Sequence, residues 1–383
     1  MPRPATPSPP PGGSGQLHPE RKPIPLETLH ELTRQLLSVP REAGTPDAAK
    51  ARELIADHLR GLGYTIEIQR FFFSPASLRA FPIFGAGLGG LAVVLLPLLY
   101  SPQAPPWAAL ALWAAGLAAL LVLVSGVGLG WVALGESARE DANLVATRGS
   151  DRPRRWIVAH LDSKAQGHSM AGRLIAVWVT VLAAAALSVL TIARLNAPVD
   201  AVWLVAGATL ALAAGFLAGK GQLRGRSPGA RDNGSGIVAA LTAAEASSDP
   251  SLGILITGAE EFGLVGARVF AHLHSPGLQD MEFVNVDTVD EEGTLSLVSH
   301  NTRGQQLAGK LEPVLAQLGM PVRSRRLPIG IFVDSAPLAR VASAITIGRL
   351  TWRTLQRIHT PADTADGLSL ETARRLGKAL ASN

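Results

Sequence analysis

The sequence predicts an α/β fold: a mixed, mostly parallel sheet sandwiched by helices, with two transmembrane helical hairpins inserted into it. Two observations carry this. Short apolar runs of strand length alternate with helical segments through the polar part of the chain. Four long uncharged runs, grouped in two pairs, interrupt it.

In chain order, residues 1–24 are rich in Pro, Gly and Ser, lack an apolar signal core and read as a disordered tail. The polar domain begins at 25–79. "LETLHELTRQLLSVP" repeats leucine at helical spacing (Leu29, Leu32, Leu36), as does "AAKARELIADHLRGLGY" with Leu54, Ile55, Leu59 and Leu62, closed by Gly63. "TIEIQRFFF" alternates as a strand does. Residues 80–135 hold no charged side chain and break at "YSPQAPPW", which makes them hairpin 1. The polar domain resumes at 136–172 and again at 220–383, around hairpin 2 at 173–219, which turns at "RLNAPVD". The later strands are "NLVAT", "WIVAHLD", "LGILITGAE", "MEFVNVD", "TLSLV" and "AITIG"; helices lie at 236–246, 305–318 and 370–380.

The chain has 383 residues, 47% hydrophobic and only 17% charged, a greasy balance for a water-soluble domain. Tyr100, Trp107, Trp131 and Trp203 stand near the ends of the apolar runs, where interfacial aromatics sit. The expected partner is therefore a lipid bilayer and the expected product a multi-pass membrane protein. Arg194 is the only basic residue in the short hairpin turns, while Arg79, Arg173, Lys220, Arg224 and Arg226 flank the hairpins. The positive-inside rule then puts the polar domain in the cytoplasm. Net charge is +5, but the basic residues are scattered, so nucleic acid is not an expected partner. Oligomeric state is not encoded in any pattern found.

The strand ends carry the chemistry. "WIVAHLDS" ends on His160 and Asp162, "ILITGAEEFG" on Glu260 and Glu261, and "FVNVDTV" carries Asp287. Asp232 sits in the turn of "GARDNGSGIVAALTAAE", either as a helix cap or as a ligand held at a fixed place. His359 stands in "RIHTPADTAD". Acids at the ends of buried strands are costly unless paired or bound to a cation. With no cysteine in the chain, a His and carboxylate set suits hard or borderline divalent metals. His30, His58, His272 and His274 fall on helical segments, His18 lies in the tail, and His168 and His300 lie in loops without nameable partners; all read as ordinary histidines, and Asp290-Glu291-Glu292 as a solvated turn.

The ordered motifs "AHLDS", "GARDNGSG", "AEEFGLVGA", "VNVDTV" and "IHTPADT" resemble the M28 zinc peptidases, the co-catalytic aminopeptidase group. The resemblance implies a zinc exopeptidase fold, a peptide substrate and two Zn2+ ions, with other divalent metals able to serve. It implies that Asp232 bridges the ions, that His160 and Asp287 bind one, and that Glu261 and His359 bind the other. Glu260 would be the general base and Asp162 would orient His160, with Asp363 acting similarly near His359. Relatives on this scaffold include carboxypeptidases and a single-metal glutaminyl cyclase, so other amidohydrolase chemistry and a catalytically inactive binding module are the alternatives. The complete ligand set favours the two-ion peptidase. Three features depart from the family pattern: hairpin 2 between His160 and Asp232, "VDSAPLARV" around Asp334 in place of a Ser-Asp-His pattern, and the hairpins themselves.

Overall fold

The computed structural model describes residues 28–132, 134–135, 137–149, 152–327 and 330–382. The Pro-rich tail lies outside the described residues. Helices α1 (Leu29–Leu37) and α2 (Pro46–Gly61) open the polar domain, each started by a threonine cap, Thr28 and Thr45, on a free backbone N–H. Strand β1 (Thr65–Phe73) follows, and the N-terminal sequence then leads into two helices, α3 (Ala80–Tyr100) and α4 (Ala108–Gly128). Strands β2 (Arg139–Thr147) and β3 (Arg155–His160) precede the second helical pair, α5 (Met170–Ala193) and α6 (Ala201–Gly219). The remaining elements are α7 (Ser235–Ala246), β4 (Leu252–Thr257), α8 (Val265–His274), β5 (Glu282–Val289), β6 (Thr294–Ser299), α9 (Thr302–Ala316), β7 (Val322–Arg325), α10 (Ser335–Leu338), β8 (Ser343–Leu350), α11 (Trp352–Arg357) and α12 (Glu371–Ala381).

The eight strands form one sheet in the order β1-β2-β4-β3-β5-β8-β6-β7. Its centre, β4-β3-β5-β8, is parallel throughout, whereas β1, β2 and β6 attach antiparallel. Central strands are apolar on both sides because both faces are covered. Ile157 and Ala159 of β3 enter the core built on α1, α2, α7, α9 and α12. Their alternates Trp156 and Val158 enter the second core with Phe270 of α8 and Leu338 of α10. This is the helix-sheet-helix layering expected from the alternation of runs.

The strand β7 was not expected. Its sequence, Val-Arg-Ser-Arg, is an exposed edge with no apolar face to signal it. The Asp290-Glu291-Glu292 run is also more than a solvated turn. Glu291 accepts from the N–H groups of Glu371 and Thr372 and so caps α12, while Asp290 accepts from Arg231 Nε at 3.2 Å and Thr354 Oγ1 at 2.8 Å. Of the two loop histidines read as lacking a partner, His300 has one, Ser335 Oγ at 2.8 Å.

The four hairpin helices share a core of their own, separate from those of the sheet. α3 lies against α6 over Gly85, Gly89, Ala211, Ala214 and Ala218, small residues that let the backbones approach. All four helices are long and apolar enough to cross a membrane. Their outward faces stay apolar: Val122 is 74% exposed, Val202 67% and Phe216 67%. Arg194, in the turn of the second hairpin, donates to the carbonyls of Leu98, Ser101 and Ala104 in the turn of the first, tying the two turns together.

Candidate metal centre

Parallel sheets place function beyond the carboxyl ends of their strands. His160 is the last residue of β3, and its ring fixes its own tautomer. Nδ1 lies 2.9 Å from the backbone carbonyl of Asp162 and donates to it, leaving Nε2 with a lone pair. That Nε2 faces Asp232 Oδ1 at 3.1 Å and Asp287 Oδ1 at 3.6 Å. On the other side of Asp232, its second oxygen lies 3.1 Å from His359 Nε2, which is also 3.3 Å from Glu261 Oε1. The ligating atoms fall into two groups, His160-Asp232-Asp287 and Asp232-Glu261-His359, each within 4.8 Å, with Asp232 common to both.

The turn of Asp232 shows why the sequence reads Gly-Ala-Arg-Asp-Asn-Gly-Ser-Gly. Gly229 has φ +60, and a Cβ there would lie 2.4 Å from Ser163 Cβ. Gly236 packs so closely on β5 that a Cβ would meet the Val286 carbonyl at 2.2 Å. Asn233 binds the same strand, donating to Val286 O at 2.8 Å and accepting from Thr288 N. Asp232 does not cap α7, whose first turn is capped by Asn233 Oδ1 accepting from Gly236 N–H at 2.9 Å; the Asp232 carboxylate points at the histidines instead.

Two supporting acids act differently from the sequence expectation. The Asp162 carboxylate lies 3.8 Å from His160 Nδ1 and accepts instead from the backbone N–H of Glu260 (3.0 Å) and Glu261 (3.1 Å). It is the Asp162 carbonyl that orients His160, while the carboxylate fixes the Glu260-Glu261 turn. Asp363 likewise does not touch His359. It accepts from the N–H groups of Arg231 (3.0 Å) and Asp232 (3.1 Å), positioning the bridging turn. Ala259, Thr288 and His359 have left-handed φ values of 51°, 53° and 63°, uncommon for residues with side chains. Each is a site residue or the neighbour of one, the usual location for such strain.

Three further residues belong to the site. Lys164 is buried and pairs with Glu261 Oε2. Asp334, fully buried, accepts from Thr257 Oγ1 and leaves its other oxygen without a partner. Arg41 is buried, and among the described residues no carboxylate lies within ion-pair distance of it. It donates to the carbonyls of Leu36, Leu161, Pro228 and Gly229, which fastens α1 to the segments carrying His160 and Asp232. Burial holds its guanidinium down at about 10, partly offset by Asp363, Asp162 and Asp232.

The charges set the chemistry. Burial, reinforced by Glu261, Asp334 and Asp287, pushes Glu260 well above the usual carboxylate range despite His160. Burial also acts on Glu261, yet His359 and Lys164 hold it down at about 2. Burial opposes charging of His160, but Glu260, Asp232 and Asp287 raise it well above the ordinary imidazole value. The residues present fit divalent cations. Buried Glu261 Oε1, 3.3 Å from His359 Nε2, has no hydrogen-bond partner, as suits an oxygen left for a cation. The donor set is nitrogen and carboxylate oxygen without sulfur, matching zinc and similar ions.

Residues 208–383 match Peptidase family M28. This span contains Asp232, Glu260, Glu261, Asp287 and His359; His160 precedes it. No curated protein matches the chain. Among solved structures, the chain is similar to an aminopeptidase from Aneurinibacillus sp. strain AM-1, at 15% identity and a TM-score of 0.54, over 92% of each chain. It is similar to BSAP, a zinc aminopeptidase from Bacillus subtilis, at 15% identity and a TM-score of 0.53, over 94% of this chain and 95% of that one. A glutaminyl cyclase from Fimbriiglobus ruber aligns at 16% identity and a TM-score of 0.53, over 96% and 97%. These three likenesses establish the shared fold. The match over residues 208–383, together with the ordered motifs, makes the chain similar to peptidase family M28, a family of metallopeptidases.

Proposed function

We propose that the chain is a membrane-embedded exopeptidase of aminopeptidase type that uses two zinc-type cations. The observation that carries this reading is the placement of Asp232 between two imidazoles, one carboxylate oxygen toward each. His160 and Asp287 would hold one ion, Glu261 and His359 the other, with Asp232 shared. When bound, such a pair supplies Lewis-acid activation of water and of the peptide carbonyl.

The other work falls to the chain. Glu260 is the general base: it takes a proton from the attacking water and gives it to the leaving amine. Its carboxylate belongs to neither ligand group, which leaves it free for both transfers. Asp162 holds Glu260 and Glu261 in register through their backbone N–H groups, and its carbonyl keeps Nε2 of His160 free to ligate. Asp363 does the same for Asp232.

The four apolar helices lie in the bilayer in this reading, supported by their length and by their apolar outward faces. Arg194 is bound internally, whereas the cations at the other helix ends flank the polar domain. The positive-inside bias therefore favours a cytoplasmic site. A second reading, cyclisation of N-terminal glutamine, is favoured by Lys164, whose ammonium on Glu261 weighs against a second cation.

The test is a substrate panel with zinc-reconstituted full chain in detergent. Leucyl and alanyl peptides with free N-termini should release the first amino acid, and N-acetylated peptides should resist by at least about 100-fold in kcat/KM, the usual result when a site built for a polar group meets an analogue lacking it. Equal cleavage of acetylated peptides would contradict the aminopeptidase reading. Ammonia release from glutaminyl peptides, with no amino acid freed, would favour the cyclase.

A further inference from the structure

Most buried and half-buried arginines of this chain have evident partners. Arg52 pairs with Asp141, Arg155 with Glu282, Arg231 with Asp290, and Arg41 and Arg194 bond carbonyls. Arg173 does not follow this pattern. It stands in the first turn of α5, half-buried, and among the described residues its guanidinium has neither a carboxylate within ion-pair distance nor a hydrogen-bond acceptor. Its recorded close contact is with the ring of Phe332, 5.9 Å from the guanidinium carbon to the ring centre. Phe332 is itself 61% exposed.

The position of Arg173 relative to the metal centre is fixed by backbone bonds. Met170 N–H donates to Ile358 O at 3.2 Å, and Gln166 N–H donates to His359 O at 2.9 Å. The foot of α5 is thus fastened to the loop that carries His359. The facing segment is held too, since a Cβ on Gly330 would lie 3.2 Å from Val177, one turn above Arg173. Arg173 is close enough to Glu261, Glu260 and Asp232 for their charges to act on it. The site therefore has an unspent cation at its edge, contributed by the inserted hairpin.

Building on the peptidase reading, we infer that Arg173 receives the α-carboxylate of a short peptide, making dipeptides with a free C-terminus the preferred substrates. One extended residue spans about 3.5 Å, so a dipeptide has its carboxylate within one residue of the scissile bond. A guanidinium binds a planar carboxylate through two parallel hydrogen bonds, a match that an amide lacks. A longer peptide carries its carboxylate past this point and gains nothing from Arg173.

The experiment compares leucyl-glycine with leucyl-glycine amide on the zinc-reconstituted full chain in detergent. The parent should favour the acid by about 10–100-fold in kcat/KM, the equivalent of one charge-assisted hydrogen-bonded contact. Arg173→Gln should bring the ratio to about one, mainly through KM for the acid, and Arg173→Lys should restore part of it. A parent ratio of one overturns the inference. So does an equal fall for both substrates in Arg173→Gln, which would assign Arg173 to bond cleavage or to folding.

A binding arm separates this inference from the reading beneath it. Calorimetry with the two peptides on Glu260→Gln should show tighter binding of the acid, lost when Arg173→Gln is added. Selective binding in a parent that hydrolyses neither peptide would sustain the carboxylate contact and sink the peptidase reading. Equal binding of the two peptides would overturn the contact whatever the activity.

Discussion

Glu260→Gln is expected to keep the metal centre and lose peptide hydrolysis, by about 10²–10⁴-fold in kcat, the range that positioned proton transfer contributes. Glu260 faces no imidazole at ligand distance; the two ligand groups are built from Asp232, Asp287, Glu261 and the two histidines. The amide is nearly isosteric and neutral. It retains the backbone N–H bond to Asp162 that fixes the turn, because that bond uses the main chain. It cannot accept and return a proton. Metal content measured on the purified variant should equal that of the parent while turnover of leucyl peptides disappears. A variant as active as its parent would remove Glu260 from the chemistry.

Asp232→Asn should instead empty the centre. The change removes one of the two oxygens that face His160 Nε2 and His359 Nε2 at 3.1 Å each, and points an N–H₂ group at one ring. Both ligand groups lose a member at once. Affinity for zinc should fall at least about 100-fold, since outer-sphere partners alone are worth 10–100-fold. Zinc per chain, measured after dialysis, should drop to less than half that of the parent, and hydrolysis should drop with it. The fold should survive, because Asp363 still binds the backbone of the turn and Asn233 still ties it to β5. Retention of both ions would mean that Asp232 does not bridge them.

Much of this was legible in the sequence, for physical reasons that differ by element. The central strands announced themselves because burial on both faces leaves unbroken apolar runs, as in Leu252–Thr257. The four long helices were equally plain, since their uncharged runs are of spanning length and apolar all round. Strand β7 and helix α11 were not, being short, polar and held mainly by neighbours. Most of the candidate ligand residues stand out because they sit at or near strand ends or in a glycine-rich turn; His359, after α11, does not. What the sequence could not give was which atom does the work. Asp162 contributes its carbonyl to His160 and its carboxylate to the Glu260 and Glu261 amides, a division invisible in the letters. Lys164 left one signal, a lysine following His-Leu-Asp-Ser at a buried strand end. Arg41 left none: its four carbonyl partners come from segments up to 188 residues away. Arg173 read as a membrane-flanking charge, and only the fastening of α5 to the His359 loop puts it beside the site.

Locating zinc in the loaded chain by anomalous X-ray scattering would test most directly whether Asp232 is shared between two cations. Two peaks about 3.5–4 Å apart are expected, one against His160 and Asp287 and the other against Glu261 and His359, with Asp232 between them. A single peak, or peaks away from these five side chains, would contradict the shared-carboxylate centre on which the proposed hydrolysis rests.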